Sequence, residues 1–178
     1  NSSKNKLDHI KNVLRLSSID VDGKLFFRKA DIRNIKILSD IFHEFNEKKI
    51  SITSVIHCAG LKSVQDSISY PLMYWENNVM GSLNLFQSAI EHGCKNIVFS
   101  STCSTYGDQN NIVLDELSEQ RPNNAYGASK RAVENILADY RLAHGLNYVI
   151  FRYFNVAGAD PDAEVGEFHR PETHLIPM

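Results

Sequence analysis

Ser54-Val55-Ile56-His57-Cys58-Ala59-Gly60 is a short apolar run that closes on a glycine. A strand of a parallel sheet reads this way when helices cover both of its faces and leave no polar alternation. Two other segments share the character: Asn96-Ile97-Val98-Phe99, which runs into the polar cluster Ser100 to Thr105, and Tyr148 to Tyr153, which runs into Phe154-Asn155-Val156-Ala157-Gly158. Between and around them, apolar residues recur at steps of three and four, the stripe of an amphipathic helix. Ile35, Leu38, Phe42 and Phe45 form one such stripe, ending near Lys48-Lys49. A long helical stretch after Pro71 carries Val79, Leu83, Phe86 and Ile90 and stops at His92-Gly93. A third, after Asn123-Asn124, has Ala128, Ala132, Val133, Ile136, Leu137 and Tyr140 on its core side and ends at Gly145. Strands alternating with helices of this length predict an α/β fold with a doubly wound parallel sheet.

Ahead of these elements, residues 4 to 18 read as a short helix through Leu7, Ile10 and Leu14, and Asp22-Gly23 as a turn. Lys24 to Lys29, with Leu25, Phe26 and Phe27, reads as a strand leading into Ala30-Asp31-Ile32-Arg33. Gly107 to Arg121 is loop-like. The tail from Ala159 to Met178, rich in Pro, Gly, Asp and His, reads as irregular structure.

The 178 residues are 43% hydrophobic and 22% charged, the balance of a globular chain with material for one core. Lysine and arginine total 19 against 21 acids, and neither sign gathers into a run suited to nucleic acid or a membrane surface. A small-molecule partner is expected, with no nucleic acid. Cys58, Cys94 and Cys103 form no C-x-x-C pair, which points away from a disulfide framework or zinc site and toward a reducing cytoplasm. No apolar run approaches the ~20 residues of a membrane span, and the polar start Asn1-Ser2-Ser3-Lys4 is no signal peptide. The start also lacks an initiator methionine, so the chain is expected to be a fragment.

In doubly wound sheets, ligands bind beyond the carboxyl ends of the strands. Polar or glycine-rich clusters fall at those ends: Asp31-Ile32, Ala59-Gly60-Leu61-Lys62, Ser100-Ser101-Thr102, and Asn155 with Gly158. Tyr126 and Lys130 stand four positions apart at a helix start, so they share one face a turn apart. An ammonium beside a phenol favours the phenolate, so the pair reads as a proton-transfer device with a lowered tyrosine pKa. The spacing alone is weak, since about half a match is expected by chance. Each cluster has a plainer reading as well. Asp31 reads equally as a helix cap, Gly60 as a strand-to-loop turn, Lys62 as a solvated charge, and Thr102 as a turn hydroxyl. Their coincidence along one sheet edge favours catalysis.

Taken in order, Ala59-Gly60-Leu61-Lys62, Asn77-Asn78-Val79, Ser100-Ser101-Thr102, Tyr106-Gly107-Asp108, Tyr126-Gly127-x-Ser129-Lys130 and Arg152-Tyr153-Phe154-Asn155-x-x-Gly158-Ala159 resemble the extended short-chain dehydrogenases/reductases. Within that family the likeness is to the sugar-nucleotide 4-epimerases, with Ala-Gly-Leu-Lys the most diagnostic part. It runs from about Ala30 to the end of the chain. The resemblance implies a partial Rossmann-like sheet, a tightly held NAD, and interconversion of UDP-glucose and UDP-galactose by transient oxidation at C4. It implies that Tyr126 is the general base and acid, that Lys130 lowers the tyrosine pKa and holds the nicotinamide ribose, and that Thr102 relays between Tyr126 and the sugar hydroxyl. Asp31 and Ile32 would meet the adenine; Cys58, Ala59, Gly60, Leu61, Lys62 and Asn77 the rest of NAD; Phe154 the nicotinamide pocket. Asn155 would bind the UDP-sugar. His174 stands where many relatives place an Asn that contacts it. Cys58 departs from the family's usual aromatic before Ala-Gly.

Two domains are implied, 1–158 for NAD and 159–178 as the start of the UDP-sugar region, together with a homodimer formed through helices like Asn77 to His92 and Asn124 to Gly145. No metal is implied: His169 and His174 lack accompanying ligands. A 4,6-dehydratase is the enzyme rival, but those enzymes follow the active-site Thr with Asp-Glu, and Thr102 is followed by Cys103-Ser104. A non-catalytic sugar-nucleotide or NAD-binding module is the other alternative. Gly60 is the first glycine after Gly23, so the chain has no Gly-x-x-Gly-x-x-Gly turn to cradle a pyrophosphate. The expectation is a fragment truncated at both ends and inactive alone, with Lys24 to Lys29 separated from Ser54 to Gly60 by the loss of the sheet's middle strands.

Overall fold

The computed structural model describes residues 25–109, 113–156 and 158. The helix expected over residues 4–18, the Asp22-Gly23 turn, His169, His174 and the tail from Ala159 lie outside the described residues. Ala30–Phe154 forms one compact unit, and the sheet and its helices belong to it.

Three strands, β1 (Ser54–His57), β2 (Asn96–Thr102) and β3 (Asn147–Tyr153), form a parallel sheet in the order β1-β2-β3. Ile56 pairs with Val98 and Val98 with Val149, so β2 is central. Parallel pairing requires a crossover each time the chain returns, and helices make both crossovers. The α/β class and parallel sheet agree with expectation. β1 stops at His57, three residues short of Gly60, because Cys58 to Gly60 already turns away from the sheet. Leu25 to Lys29 forms no strand. The described strands pair only among themselves, so this segment has no ladder to join.

α1 (Ile35–Glu47) buries Leu38, Phe42 and Phe45, the stripe read from the sequence. Its N-cap is Asn34, whose Oδ1 accepts the Ile37 N–H at 3.2 Å, and not Asp31. The Asp31 carboxylate is held instead by Arg33, which offers it the backbone N–H at 2.9 Å and a guanidinium N–H at 2.7 Å. α2 (Val64–Ser69), capped by Ser63, was not apparent from periodicity; six residues are too few to show it.

The long helix expected after Pro71 is three pieces: α3 (Pro71–Tyr74), a π-helical turn over Trp75–Met80, and α4 (Gly81–Glu91). α5 (Ala125–His144) runs as expected between its N-cap Asn124 and Gly145 at φ +66°.

One face of the sheet carries His57, Ile97 and Phe99 into a core with Phe42, Phe86, Ala89, Val133 and Leu137. Complete burial of Phe86, Phe99 and Leu137 stabilises the fold by about 1.5–3 kcal/mol each. On the other face Ile56 is 73% exposed, and Val149 and Phe151 are also exposed. Burial of Ser54–Gly60 on both faces therefore does not hold among the described residues: α1, α4 and α5 supply a covering layer on one side only.

Candidate active site

The chemistry-bearing residues gather where β1 and β2 end and α5 begins. Asn124 Oδ1 accepts the Gly127 N–H at 2.8 Å, which fixes the first turn of α5 and with it Tyr126. Gly127 is needed there: a Cβ would lie 2.3 Å from the Ser104 carbonyl oxygen, in the 3₁₀ turn Cys103–Thr105 that follows β2. The bare backbone lets the start of α5 rest on that turn.

Tyr126 is half-buried and lies beside Thr102, whose hydroxyl acts on the phenol. Thr102 Oγ1 accepts the Ser104 N–H at 3.2 Å, which leaves its own O–H available to the phenol side of the site. Tyr74, buried and hydrogen-bonded through its hydroxyl to the Ser63 carbonyl, sets its ring edge against Tyr126 at 6.4 Å. Burial pushes the Tyr126 phenol above its ordinary range, and the neighbouring Thr102 hydroxyl draws it partly back. The Lys130 ammonium is turned to the Ser100 carbonyl at 2.8 Å, so the opposing influence on the phenol comes from Thr102.

Lys130 is 5% exposed, and its Nζ lies 4.8 Å from the centre of the Phe99 ring. Burial lowers its pKa to about 8, with Cys58 acting weakly in the opposite sense. His57 lies below, between Phe86 and Phe99, with Nε2 2.8 Å from Ser82 Oγ. Ser82 Oγ donates to the Asn78 carbonyl, so His57 supplies the N–H to Ser82. Burial, with Lys130 nearby, holds the imidazole pKa at about 4 and the ring neutral.

Asn78 ties the two loops together, and sequence reasoning assigned it no role. It is 2% exposed and stands in the π-helical turn. Its Oδ1 accepts the Leu61 N–H at 2.8 Å, and its Nδ2 donates to the Leu61 carbonyl at 3.0 Å and to Ser129 Oγ at 3.2 Å. Asn77 Nδ2 donates to the same Oδ1 at 3.0 Å. The extra residue in a π turn re-aims side chains relative to an α-helix, and such turns recur at functional sites. The one available signal was an Asn pair in the middle of an otherwise apolar helical pattern. Gly60 passes between Asn78 and Lys130, where a Cβ would lie 3.3 Å from both Asn78 Oδ1 and Lys130 Nζ.

Thr102, Tyr126, Lys130 and the loop Cys58 to Leu61 are thus brought together, with Asn77 beside Asn78. Cys58, Ala59, Gly60 and Lys62 are exposed. Ile32 lies against α4, packing on Gly81, where a Cβ would meet its side chain at 2.6 Å; Asn84 Nδ2 donates to the Arg33 carbonyl at 2.9 Å, and Asp31 is exposed. Phe154, 59% exposed, stacks on Tyr106 at 6.4 Å, beside an open cavity of about 470 Å³ that Glu116 and Arg152 also line. Asn155 is exposed and belongs to the other compact unit. Among the described residues, no group of His, Cys, Asp and Glu could hold a metal ion, and no helix is long and apolar enough to cross a membrane.

The model of the NAD dependent epimerase/dehydratase family matches residues 2–178. A UDP-glucose 4-epimerase of Lacticaseibacillus casei is 42% identical over 158 residues, which cover 89% of this chain and 46% of the relative. A crystal structure of UDP-glucose 4-epimerase from Brucella ovis in complex with NAD superimposes with a TM-score of 0.77 at 40% identity, covering 85% of this chain and 45% of that one. A UDP-glucose-4-epimerase from Stenotrophomonas maltophila, with bound NAD and formylated UDP-arabinopyranose, gives a TM-score of 0.79 at 31% identity over 94% of this chain and 48% of that one. The chain spans less than half the length of these relatives.

Proposed function

The chain belongs to the NAD dependent epimerase/dehydratase family, and from that membership we propose that its protein interconverts UDP-glucose and UDP-galactose, this chain supplying the proton-transfer centre and part of the NAD site. The convergence of Thr102, Tyr126 and a buried Lys130 at the ends of β1 and β2 carries the proposal. The similar Lacticaseibacillus casei protein is a UDP-glucose 4-epimerase, and the Brucella ovis one holds NAD.

The residues present fit NAD. The Lys130 ammonium has three donors, and the Ser100 carbonyl takes one, which leaves capacity for ribose hydroxyls. Gly60 leaves a side-chain-free rim between Lys130 and Asn78, over which a cofactor can approach backbone. Cys58, Ala59, Leu61, Lys62 and Asn77 extend that rim, with Asp31 and Ile32 at the adenine and Phe154 at the nicotinamide. When bound, NAD supplies the hydride acceptor at C4 of the hexose and afterwards the hydride donor.

The chain's own residues manage the proton. Tyr126, as phenolate, takes the proton of the C4 hydroxyl while the C4 hydride leaves, and it returns a proton to the same oxygen when hydride comes back to the opposite face. Thr102 donates to the phenol oxygen and spans the gap to the sugar hydroxyl. The phenol of this chain alone lies above its ordinary range. Lowering it toward working pH is the part of the task we assign to the positive charge of Lys130 and bound NAD together. Asn155 and His174 would hold the UDP-sugar, with 1–158 as the NAD region and 159–178 as the beginning of the UDP-sugar region.

We assign the protein to the cytoplasm, in keeping with its free thiols at Cys58, Cys94 and Cys103. We also assign a homodimer, in keeping with the exposed apolar residues Leu72, Met73 and Met80 along the helical stretch after Pro71.

A coupled assay for UDP-glucose formed from UDP-galactose by the full-length protein tests the proposal. Tyr126→Phe should retain NAD yet lose about 10²-fold or more in the reduction of that NAD by UDP-hexose. A 4-keto-6-deoxy product would replace the epimerase reading with a dehydratase. NAD retained with neither product formed would leave a binding module.

A further inference from the structure

α5 and β2 meet at three polar points. Lys130 Nζ donates to the Ser100 carbonyl at 2.8 Å, Ser101 Oγ donates to Glu134 Oε1, and Tyr126, a turn before Lys130, lies beside the Thr102 hydroxyl at the end of β2. The three α5 residues stand four positions apart, so they follow one another along one face of the helix. Tyr126 and Lys130 belong to the site described above; the Ser101–Glu134 bond has no place in the proton transfer.

Glu134 is 5% exposed and shares its carboxylate among several elements. Oε2 accepts from an Arg152 terminal nitrogen at 2.8 Å and from Gln120 Nε2 at 2.8 Å, and Arg152 Nε lies 3.2 and 3.1 Å from the two oxygens. The other terminal nitrogen of Arg152 continues to the Tyr106 hydroxyl at 2.9 Å and the Glu116 carbonyl at 3.1 Å. One carboxylate therefore gathers α5, the end of β2 and β3 with Gln120 and, through Arg152, Tyr106 and Glu116.

Net stabilisation is a poor account of such a pair. Desolvating both charges offsets most of their attraction, and apolar residues of similar volume do as well or better. Orientation is what a bidentate, multiply bonded carboxylate provides in excess. Ser101 is the residue before Thr102, and Glu134 lies one turn beyond Lys130. Loss of the Ser101–Glu134 bond lets the end of β2 slide against α5, and the approach it widens is that of Thr102 to Tyr126.

We propose that Glu134 is a positioning residue of the hydride-transfer site: through Ser101 it holds Thr102 against Tyr126, and through Arg152 it fixes Tyr106, before substrate arrives. The inference rests on the epimerase reading. The groups facing Tyr126 are Thr102, Cys103 and Tyr74, with Lys130 a turn along α5; those facing Glu134 are Ser101, Arg152 and Gln120.

The test uses Ser101→Ala and Glu134→Gln in the full-length protein. Ser101→Ala leaves the Glu134–Arg152 pair whole, so fold and NAD content persist. In it, kcat for UDP-galactose should fall about tenfold with KM changed less than about twofold. Ionisation of Tyr126, followed by ultraviolet difference titration against Tyr126→Phe, should move upward by about 0.5 pH unit as Thr102 disengages. Glu134→Gln should move both in the same direction and further; should it fail to fold, Ser101→Ala decides alone. An unmoved Tyr126 titration in Ser101→Ala overturns the proposal, whatever kcat does, and leaves Glu134 a clamp of the fold. A wild-type protein that holds NAD but forms no UDP-glucose sinks the epimerase reading, and the titration, which needs no turnover, still decides the role of Glu134.

Discussion

Asn78 and Leu61 are bonded in both directions, the Asn78 amide accepting the Leu61 N–H at 2.8 Å and donating to the Leu61 carbonyl at 3.0 Å. The amide acts as a one-residue strand partner, pinning the loop after β1 to the π-helical turn. Its second N–H, to Ser129 at 3.2 Å, carries the connection on to α5.

Asn78→Ala should therefore loosen the loop as well as the fold. It strands the Leu61 N–H and carbonyl in a partly buried place, at a cost of about 2–4 kcal/mol. Chemical denaturation should read that loss, and the full-length variant should purify with less NAD. Asn78→Asp should fare worse, since it sets a carboxylate oxygen against the Leu61 carbonyl with no N–H between them. An Asn78→Ala protein within about 0.5 kcal/mol of wild type would mean that the loop is held by something else.

His57 predicts acid lability. Its pKa is lowered from 6.5 to about 4, so over that interval the unfolded chain binds a proton that the folded chain excludes. Stability then falls as pH falls, from 6.5 down to about 4, by about 2–3 kcal/mol from this residue. His57→Gln keeps an N–H for Ser82 while removing the titration. The variant should be less stable at neutral pH through poorer packing on Phe86 and Phe99, and its unfolding free energy should depend less on pH over the same window. Parallel curves for the two proteins would exclude His57 as the source.

Lys130 predicts a slope of the same sign on the alkaline side. With its pKa lowered from 10.5 to about 8, the ammonium is retained by the unfolded chain and shed by the folded one between those values. Stability contributed by this group rises with pH through that window, and below about 8 the fold bears the full cost of burying the charge. That cost is on the order of 3 kcal/mol. Lys130→Met should accordingly be the more stable protein near pH 7, and its advantage should vanish by about pH 10.5. The full-length variant should also lose affinity for NAD, so unfolding must be measured without added cofactor. A destabilised Lys130→Met at neutral pH would show that the Ser100 and Phe99 contacts outweigh the desolvation.

The elements that were legible in the sequence are those with a strong local signature. α5 has an Asn cap, an apolar stripe and a Gly stop, and it lies where those place it. β2 and β3 follow their apolar runs, β2 three residues past Phe99. The Tyr126–Lys130 spacing likewise gave the shared helical face. Illegible were features set by partners distant in sequence. The segment Leu25 to Lys29 has strand composition, but a strand exists only beside another, and composition carries no information about the neighbour. The π turn is invisible to a period of 3.6, and Asn78 faces Leu61 and Ser129 because of it. The direction of the Lys130 ammonium also escaped, because spacing brings Lys130 to the same face as Tyr126 without saying where its charge points. The Ser100 carbonyl captures it.

Gly127→Ala offers a direct probe of how closely α5 must approach β2. Alanine is the better helix former by about 1 kcal/mol, so propensity alone predicts stabilisation. The added methyl would lie 2.3 Å from the Ser104 oxygen and 2.9 Å from its carbon, both backbone atoms that cannot rotate away. Either α5 or the Cys103–Thr105 turn must retreat, and the turn is anchored by the Thr105 hydroxyl on the Thr102 carbonyl at 2.9 Å. The clash should outweigh propensity, for a net loss of about 1–3 kcal/mol. The retreat also separates Tyr126, the residue before, from Thr102. In the full-length protein kcat should then fall more than stability suggests, with the Tyr126 titration displaced upward as its partner withdraws. A variant with unchanged Tyr126 ionisation, or one more stable than wild type, would show that the helix start has slack, and would remove close packing at Gly127 as the reason Tyr126 and Thr102 meet.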